Sequence, residues 1–485
     1  MNRLWVVAAV AAANLAVVAV VGLGFMLPAT VAVLGVVVAL IVFDRPQRGL
    51  LLLAAALPFD GLRVALKLPP WSKNWLVAMV VLVLVAAIVA RPGVARPLAG
   101  RAAPAWTVAV GGLILLTVAS LRLVDPYHVG AGLKVTFQAA TLAYVAWRCP
   151  LSTKERDWLV SILMGTGAVT AAWGLVQQAL GPGQLHDLGY KYNSTIRFSG
   201  SFMRSFSTFL QPFPFAYFLM IVVLIGIPIA LHDPGRLRNR IFLLLVPLYG
   251  VGMLVAVVRG AWIGTALGLL WLGLRRHRIL LLGIPVVFVV LLLGPSTSGS
   301  NATHATSGQI RVQNWSDNLY EIGDHPFGIG TGEAGAAAGA INIHKGAARG
   351  YQFGGVGGDG LAYQPDNQYF LFALELGLAG LWCYILFLVS AFRTSVRASE
   401  RVGGEASAFS LGTAAVVLAY AVAGIPSTIL EILPVYYFWL VLGVTSALAP
   451  DRKRGRVPAV ALRPVPVRST DRSGDAASWA APDPA

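Results

Sequence analysis

Long apolar runs recur along almost the whole chain, separated by short polar and basic stretches. Runs such as residues 4–26 approach or exceed the roughly 20 residues that cross a bilayer as a helix. The pattern predicts about fourteen apolar segments, of which the third is short for a span. In chain order these are 4–26, 28–43, 49–57, 74–90, 105–120, 131–147, 158–180, 213–231, 241–258, 260–274, 279–294, 367–391, 406–424 and 428–448. We therefore expect an all-α polytopic integral membrane protein with about 12–14 transmembrane helices and one large external loop.

Composition agrees with a membrane protein. Of 485 residues, 57% are hydrophobic and only 12% are charged, whereas soluble domains carry about 25% charged residues. Two cysteines provide neither a disulfide framework nor metal-ligand spacing. A phosphate-binding loop ending in Lys-Ser or Lys-Thr is also missing, which argues against ATP-driven work. We expect no metal and no cofactor.

The basic residues predict the orientation in the membrane. The net charge is +16, and Lys and Arg fall in every second loop between apolar segments. Such residues resist translocation, so these loops are expected on the cytoplasmic side together with both termini. The excess positive charge then reflects topology, and we expect no nucleic-acid partner. The basic groups are Arg45 and Arg48; Arg91, Arg96 and Arg101; Arg148, Lys154 and Arg156; Arg236, Arg238 and Arg240; Arg275, Arg276 and Arg278; Arg393, Arg397 and Arg401; and Arg452, Lys453, Arg454 and Arg456.

Three regions follow from this topology. Residues 1–180 form N-terminal transmembrane helices. Residues 181–450 form a membrane domain that contains a shorter external loop, 181–212, and the large external loop, 295–366. Residues 451–485, rich in Pro, Ala, Ser and Arg, are expected to be a disordered cytoplasmic tail.

The large external loop is expected to be partly folded. The spacing of its apolar residues predicts a helix over about 308–322. Its glycine-rich stretches GEAGAAAGA and FGGVGGDG predict a mobile centre. Such a centre could gate a large acceptor, and an ill-ordered insertion is the alternative.

Four arginines lie on the side where the charge rule disfavours them: Arg197, Arg204, Arg259 and Arg311. Arg259, between two apolar segments, is the sharpest case, because a buried cation needs a partner. Its alternative is a side chain that reaches out of the apolar layer to water. A guanidinium presents a planar fork of donors that matches phosphate oxygens, so converging arginines suit a phosphate or diphosphate ligand.

Carboxylates near the external ends of spans are candidates for proton transfer. Asp366 precedes a span and could accept a proton from an attacking hydroxyl, with Asn367 beside it. Alternatively, Asp366 and Asn367 cap the helix that begins there. Glu375 and Glu431 lie near or within apolar segments and are either functional or paired with an arginine.

Four segments, in order, resemble the O-antigen ligase and polymerase superfamily of bacterial envelope glycosyltransferases. RFSGSF from Arg197 resembles the Arg-x-x-Gly-x-Phe motif of the family, and VVRGAW around Arg259 resembles its Ser-Arg-Gly-Ala-Trp turn. IRVQNWSDNLYEIGDHPFGIGTGE resembles the opening of its large external loop, and PDNQYFLFALELGLAG the segment that closes it. Ligases often carry His where Asp366 stands, so ligase and polymerase both remain open.

The resemblance implies a metal-independent, inverting glycosyltransferase in the bacterial cytoplasmic membrane. It would move a glycan from a polyprenyl-diphosphate carrier to a glycan or lipid acceptor at the external face. Arg197 and Arg259 would bind the diphosphate, Asp366 would assist the acceptor, and Arg204, Arg311 and Asn367 are secondary candidates. The alternatives are a flippase for lipid-linked saccharides, which would need charges within the membrane core, and a non-catalytic scaffold.

Overall fold

A computed structural model describes residues 26–91, 93–95, 103–283, 315–344, 351–352, 362–363 and 365–448. Over these residues the protein is mostly helical, with two very small sheets. The main helices are Met26–Asp44, Pro46–Ala56, Leu62–Ala65, Trp75–Val89, Trp106–Ala119, Pro126–Phe137, Ala140–Arg148, Thr153–Asp187, Pro212–His232, Leu237–Leu244, Val246–Ala256, Arg259–Arg275, 315–324, Gly335–His344, Gln368–Arg401, Gly404–Ala423 and Val435–Leu448. Strands Arg197–Ser199 and Phe202–Arg204 pair antiparallel, and Tyr351–Gln352 pairs parallel with Ala362–Tyr363.

The helices confirm a helical membrane protein. Five helices in the described ranges are long and apolar enough to cross a bilayer, and a pair bent by 43°, Leu237–Leu244 with Val246–Ala256, would be a sixth. Shorter apolar helices accompany them, such as Val435–Leu448. The larger count of 12–14 spans stays a prediction. The first apolar segment, most of 279–294 and the tail lie outside the described residues.

The Pro212–His232 helix is the centre of the bundle. It is apolar on all sides and buried along most of its length, as expected for a helix enclosed by other helices. Its neighbours include Thr153–Asp187, Val246–Ala256 and Gly404–Ala423. The last of these approaches closely at Gly412, where a Cβ atom would lie 2.7 Å from the Leu224 carbonyl oxygen. Small residues allow such close packing of membrane helices.

Several predicted segments are broken rather than straight. The 131–147 segment is two helices, Pro126–Phe137 and Ala140–Arg148. The segment predicted at 367–391 lies in the longer Gln368–Arg401 helix, which is interrupted at Gly377 with φ 68° and ψ −170°. Only glycine adopts this conformation without strain.

The HPFGIG stretch fills the break at Gly377. The Ile329 and Gly330 amides donate to the carbonyls of Leu374 (2.8 Å) and Glu375 (3.1 Å), and the Leu378 amide donates to Pro326 (3.0 Å). Backbone groups that leave the helical pattern therefore find partners in this stretch, as apolar surroundings require.

Helices lie on both sides of the HPFGIG stretch. The helix at 315–324 agrees with the described part of the predicted 308–322 helix, and Gly335–His344 is a helix where GEAGAAAGA predicted a loose segment, so that prediction is wrong. FGGVGGDG lies outside the described residues.

Several of the basic loops meet at one end of the bundle, which we call the network end. Asp157 binds Arg236 (2.6 Å) and Arg238, and Glu405 binds the same two arginines (3.2 and 3.0 Å). These contacts link loops that lie far apart in sequence. Which side of a membrane this end faces stays a prediction from the charge rule.

Further bonds extend the network end. The Gln47 side chain donates to the carbonyls of Val94 and Pro150, and Arg276 donates to Ser407. Helix Thr153–Asp187 begins here with a capping box, in which Ser152 and Glu155 each bond the other's backbone amide. Such a box satisfies two amides that the helix itself leaves open.

The opposite end, which we call the cavity end, carries unusual backbone conformations. Every described non-glycine residue with positive φ lies in the segments that gather there: Lys67, Asn193, Ser207, Val257 and Asp366. Left-handed backbone at residues other than glycine is uncommon and is concentrated at functional sites. The left-handed residues therefore indicate that a functional site lies at the cavity end.

Candidate active site

The cavity end contains a cavity of about 650 Å³, within the usual range for small-molecule sites. Its walls come from segments far apart in the sequence. The lining residues are Asp60, Arg197, Arg204, Phe209, Leu210, Gln211, Phe213, Pro214, Ala336, Gly339, Ala340, Asp366, Pro426, Ser427, Thr428, Glu431, Ile432 and Leu433. Three residues selected from the sequence, Arg197, Arg204 and Asp366, thus share one cavity.

A β-hairpin places the two arginines next to each other. Strands Arg197–Ser199 and Phe202–Arg204 pair so that Arg197 lies directly opposite Arg204. Gly200, with φ 62°, forms the tight turn between them. Residues directly opposite in a pair of strands have neighbouring side chains on the same face. The spacing in RFSGSFMR therefore brings two cations together.

The guanidinium groups are oriented by backbone carbonyls. Arg204 Nε donates to the Ala256 carbonyl (3.2 Å), and its guanidinium lies 4.8 Å from the centre of the Phe213 ring. The Ala256 carbonyl is accessible because helix Val246–Ala256 ends at Val257 in a left-handed conformation. Arg197 Nε donates to the Ser194 carbonyl (3.1 Å). A carbonyl orients a guanidinium without cancelling its charge.

Two adjacent glutamines, Gln177, which is buried, and Gln178, which is half-buried, hold the hairpin and the residues that follow it. Gln178 donates to the Met203 carbonyl (2.8 Å) and to the Ser205 hydroxyl (2.7 Å). Gln177 accepts from the Ser207 amide (2.7 Å) and donates to the Ser207 carbonyl (2.8 Å). Sequence analysis missed these supporting residues, although two adjacent glutamines within the apolar 158–180 segment were a visible signal, since buried amides need partners.

Asp366 and Asn367 have different roles in the structure. Asn367 is buried and caps helix Gln368–Arg401, accepting from the amides of Tyr369 (2.8 Å) and Phe370 (3.2 Å). Asp366, with φ 46°, lies on the cavity wall. The capping alternative therefore describes Asn367, while Asp366 is part of the wall that a ligand in the cavity would contact.

The two glutamates near the apolar segments bind backbone amides. Glu375 Oε1 accepts from Gly332 (2.8 Å) and Ala334 (3.4 Å), and Glu431 Oε1 accepts from Ala336 (3.0 Å). Both carboxylates thus hold the start of helix Gly335–His344, where a helix dipole favours negative charge. Of the two, Glu431 also lines the cavity.

Arg259 does not line the cavity. It is exposed at the start of helix Arg259–Arg275. Its neighbour Gly260 lies close to the wall, since a Cβ there would be 3.2 Å from Pro426 Cγ. Arg311 lies outside the described residues. The structure therefore places Arg204, a secondary candidate from the sequence, beside Arg197 in the position expected for Arg259.

Asp60 is a cavity residue that sequence analysis did not select. It accepts from Trp75 Nε1 (2.8 Å) and lies 3.4 Å from Arg63 Nε. The available signal was its place directly after the short third apolar segment, on the predicted external side. No group of three or more His, Cys, Asp or Glu side chains with metal-binding geometry occurs within the ranges given above.

Comparisons with known proteins give no family for this chain. No protein-family model matches it, and no curated protein matches its sequence. The resemblance to the O-antigen ligase and polymerase superfamily therefore rests on the four motifs alone and stays a prediction.

Proposed function

We propose that this protein is a membrane glycosyltransferase, a polysaccharide ligase or polymerase. It transfers a glycan from a polyprenyl-diphosphate carrier to a glycan or lipid acceptor at the external face of a bacterial cytoplasmic membrane. The observation that carries this proposal is the cavity, whose walls hold two adjacent arginines and three carboxylates from distant segments of the chain.

The arginine pair suits the diphosphate. Arg197 and Arg204 lie opposite each other on a hairpin, and each guanidinium offers several donors in a fixed plane. Charge accumulates on the leaving diphosphate as the glycosidic bond breaks, so donors held in place in advance lower the barrier.

The acidic residues suit the acceptor. An acceptor hydroxyl would attack the anomeric carbon of the sugar, forming a new carbon–oxygen bond while the bond to the diphosphate breaks and its electron pair stays on the diphosphate. The proton of the hydroxyl passes to a carboxylate that lines the cavity. Asp366 and Glu431 are the candidates for this carboxylate. Direct displacement inverts the anomeric configuration, and neither metal nor nucleotide takes part.

Transfer by purified protein in liposomes tests the proposal. Lipid-linked precursors extracted from cells that make the protein are radiolabelled in the glycan and supplied with EDTA present throughout. We expect release of the diphosphate carrier together with a lengthened or transferred glycan of inverted configuration. Product length then separates a polymerase from a ligase.

Variants connect the reaction to the cavity. Arg197→Ala and Asp366→Asn should each reduce transfer by at least about 100-fold. Arg240→Ala is the control, because Arg240 also binds a carbonyl, that of Pro234 (3.0 Å), but lies at the network end. Intact substrate that only changes leaflet would contradict the transferase and favour a flippase.

A further inference from the structure

Glu431 lines the cavity from a short turn and lies close to the start of helix Gly335–His344. It ends the short 3-10 turn Ile429–Glu431, between helices Gly404–Ala423 and Val435–Leu448 and outside both. Its Oε1 accepts the Ala336 amide. A Cβ at residue 335 would lie 2.6 Å from that oxygen, so the approach requires Gly335, whose φ is 65°.

The surroundings of Glu431 suit a proton acceptor. Burial raises its pKa to about 7, although the hydrogen bonds from the Ala336 amide and the Thr428 hydroxyl oppose that rise. A general base works best with a pKa near the operating pH, because it is then deprotonated and still basic.

The charged groups that face Glu431 come from several elements. Glu375 lies on the Gln368–Arg401 helix, near enough for the charge of Glu431 to act on it, and Asp366, Asp60, Arg197 and Arg204 share the cavity with Glu431. Glu375 is a poor alternative base, because its Oε1 accepts the Gly332 and Ala334 amides and the residue does not line the cavity.

We propose that Glu431 is a catalytic residue that accepts the proton of the attacking acceptor hydroxyl, while Asp366 binds and orients that acceptor. This inference rests on the proposed function. The proton moves from the acceptor oxygen to a Glu431 carboxylate oxygen as that acceptor oxygen bonds to the anomeric carbon, and it is later released to water. The diphosphate leaves with the electron pair of the broken bond.

The pH dependence of transfer tests the assignment. A base must be deprotonated, so kcat of the parent should rise with pH through about 7 and then level off. Glu431→Gln keeps an oxygen for the Ala336 amide but cannot take a proton. We expect it to lower kcat by about 100-fold or more and to remove the rise near pH 7. Asp366→Asn should instead raise KM for the acceptor and keep that rise.

Two further measurements keep the test decisive. Glu431→Asp retains a carboxylate and should keep the rise near pH 7 at a lower kcat, which covers the case in which Glu431→Gln folds poorly. Binding of polyprenyl diphosphate without a glycan, followed by thermal shift, should be equal in the parent and Glu431→Gln. A parent that transfers glycan while Glu431→Gln keeps both its rate and the pH 7 limb would overturn the role of Glu431 alone. A parent that neither binds the diphosphate nor transfers glycan would overturn the proposed function itself.

Discussion

The two ends of the bundle hold their arginines in different ways. At the network end, Arg236 and Arg238 are bound by the carboxylates of Asp157 and Glu405. At the cavity end, Arg197 and Arg204 are oriented by main-chain carbonyls. Opposite charges neutralise each other in the first case, whereas the carbonyl contacts in the second orient a guanidinium and carry no opposite formal charge. The first kind of contact holds loops together, and the second holds a guanidinium in place on the wall of a cavity.

The backbone conformation also differs between the two ends. The network end has a standard capping box at Ser152, while the cavity end has left-handed residues at Ser207, Val257 and Asp366. Strain of about 1–3 kcal/mol per residue persists only where the surrounding structure determines it. The contacts at the network end stabilise the bundle, whereas the left-handed residues at the cavity end cost some stability and shape the cavity.

The largest effect is expected from Gly377→Ala, which tests whether the cavity end depends on backbone shape. A Cβ would lie 2.4 Å from the Pro326 carbonyl oxygen, and the residue has φ 68°. The left-handed conformation and the overlap together should lower the free energy of unfolding by about 3 kcal/mol or more. Chemical denaturation in detergent measures it. Gly250→Ala is the control, since that position is helical with open space around it, and it should leave stability unchanged or raised.

Arg204→Ala tests whether charge at the cavity end serves a ligand. We expect glycan transfer to fall by about 100-fold, since it removes donors from the departing diphosphate. The loss in stability should be small, because Arg204 is only half-buried. Equal transfer by Arg204→Ala and by Arg240→Ala at the network end would remove the distinction between the two ends.

Asp157→Ala tests the opposite case. The change removes one of the two carboxylates that Arg236 and Arg238 share and leaves them Glu405. Both Asp157 and Arg238 are mostly buried, with 24% and 14% of their side chains exposed. We expect a loss of about 1–3 kcal/mol in the free energy of unfolding, with transfer per folded molecule unchanged. Glu400→Ala is the control, because the Arg275–Glu400 pair is long (3.4 Å) and exposed, so its loss should be below about 0.5 kcal/mol.

The smallest effect is expected from Asn367→Ala. This variant tests whether Asn367, a secondary candidate for the site from the sequence, only caps its helix. Loss of the bonds to the Tyr369 and Phe370 amides should cost about 1 kcal/mol of stability. Asn367→Asp keeps an accepting oxygen and should restore it. A drop in transfer beyond the unfolded fraction would assign Asn367 to the substrate instead.

Sequence analysis predicted the helical class and most of the described segments, because apolar length is a local property. It did not predict the break at Gly377, since that conformation is stabilised by residues 326–330, which are distant in sequence. Helix Gly335–His344 was missed for a similar reason. Its glycines and alanines show no strong apolar periodicity, and its first turn is held by Glu431.

The candidate site could be predicted only in part. Arginines on the side disfavoured by the charge rule include Arg197 and Arg204, which do line the cavity. The rule cannot rank them, however, because it reports the side of the membrane and not the direction of a side chain. Arg259 satisfies the rule equally well and is exposed away from the lining. Asp60 was overlooked because the arginines that share the cavity with it, Arg197 and Arg204, are distant in sequence.

The bonds between residues 326–330 and the broken helix decide where this protein accepts added residues. An epitope tag placed between Pro326 and Gly335 would separate amides that the broken helix and Glu375 both require. The exposed turn at Asp233 and Pro234 offers a safer position, since a longer turn there leaves both adjoining helices intact. Residues 326–330 thus join the external loop to the broken helix, and this part of the loop cannot be changed without disturbing that helix.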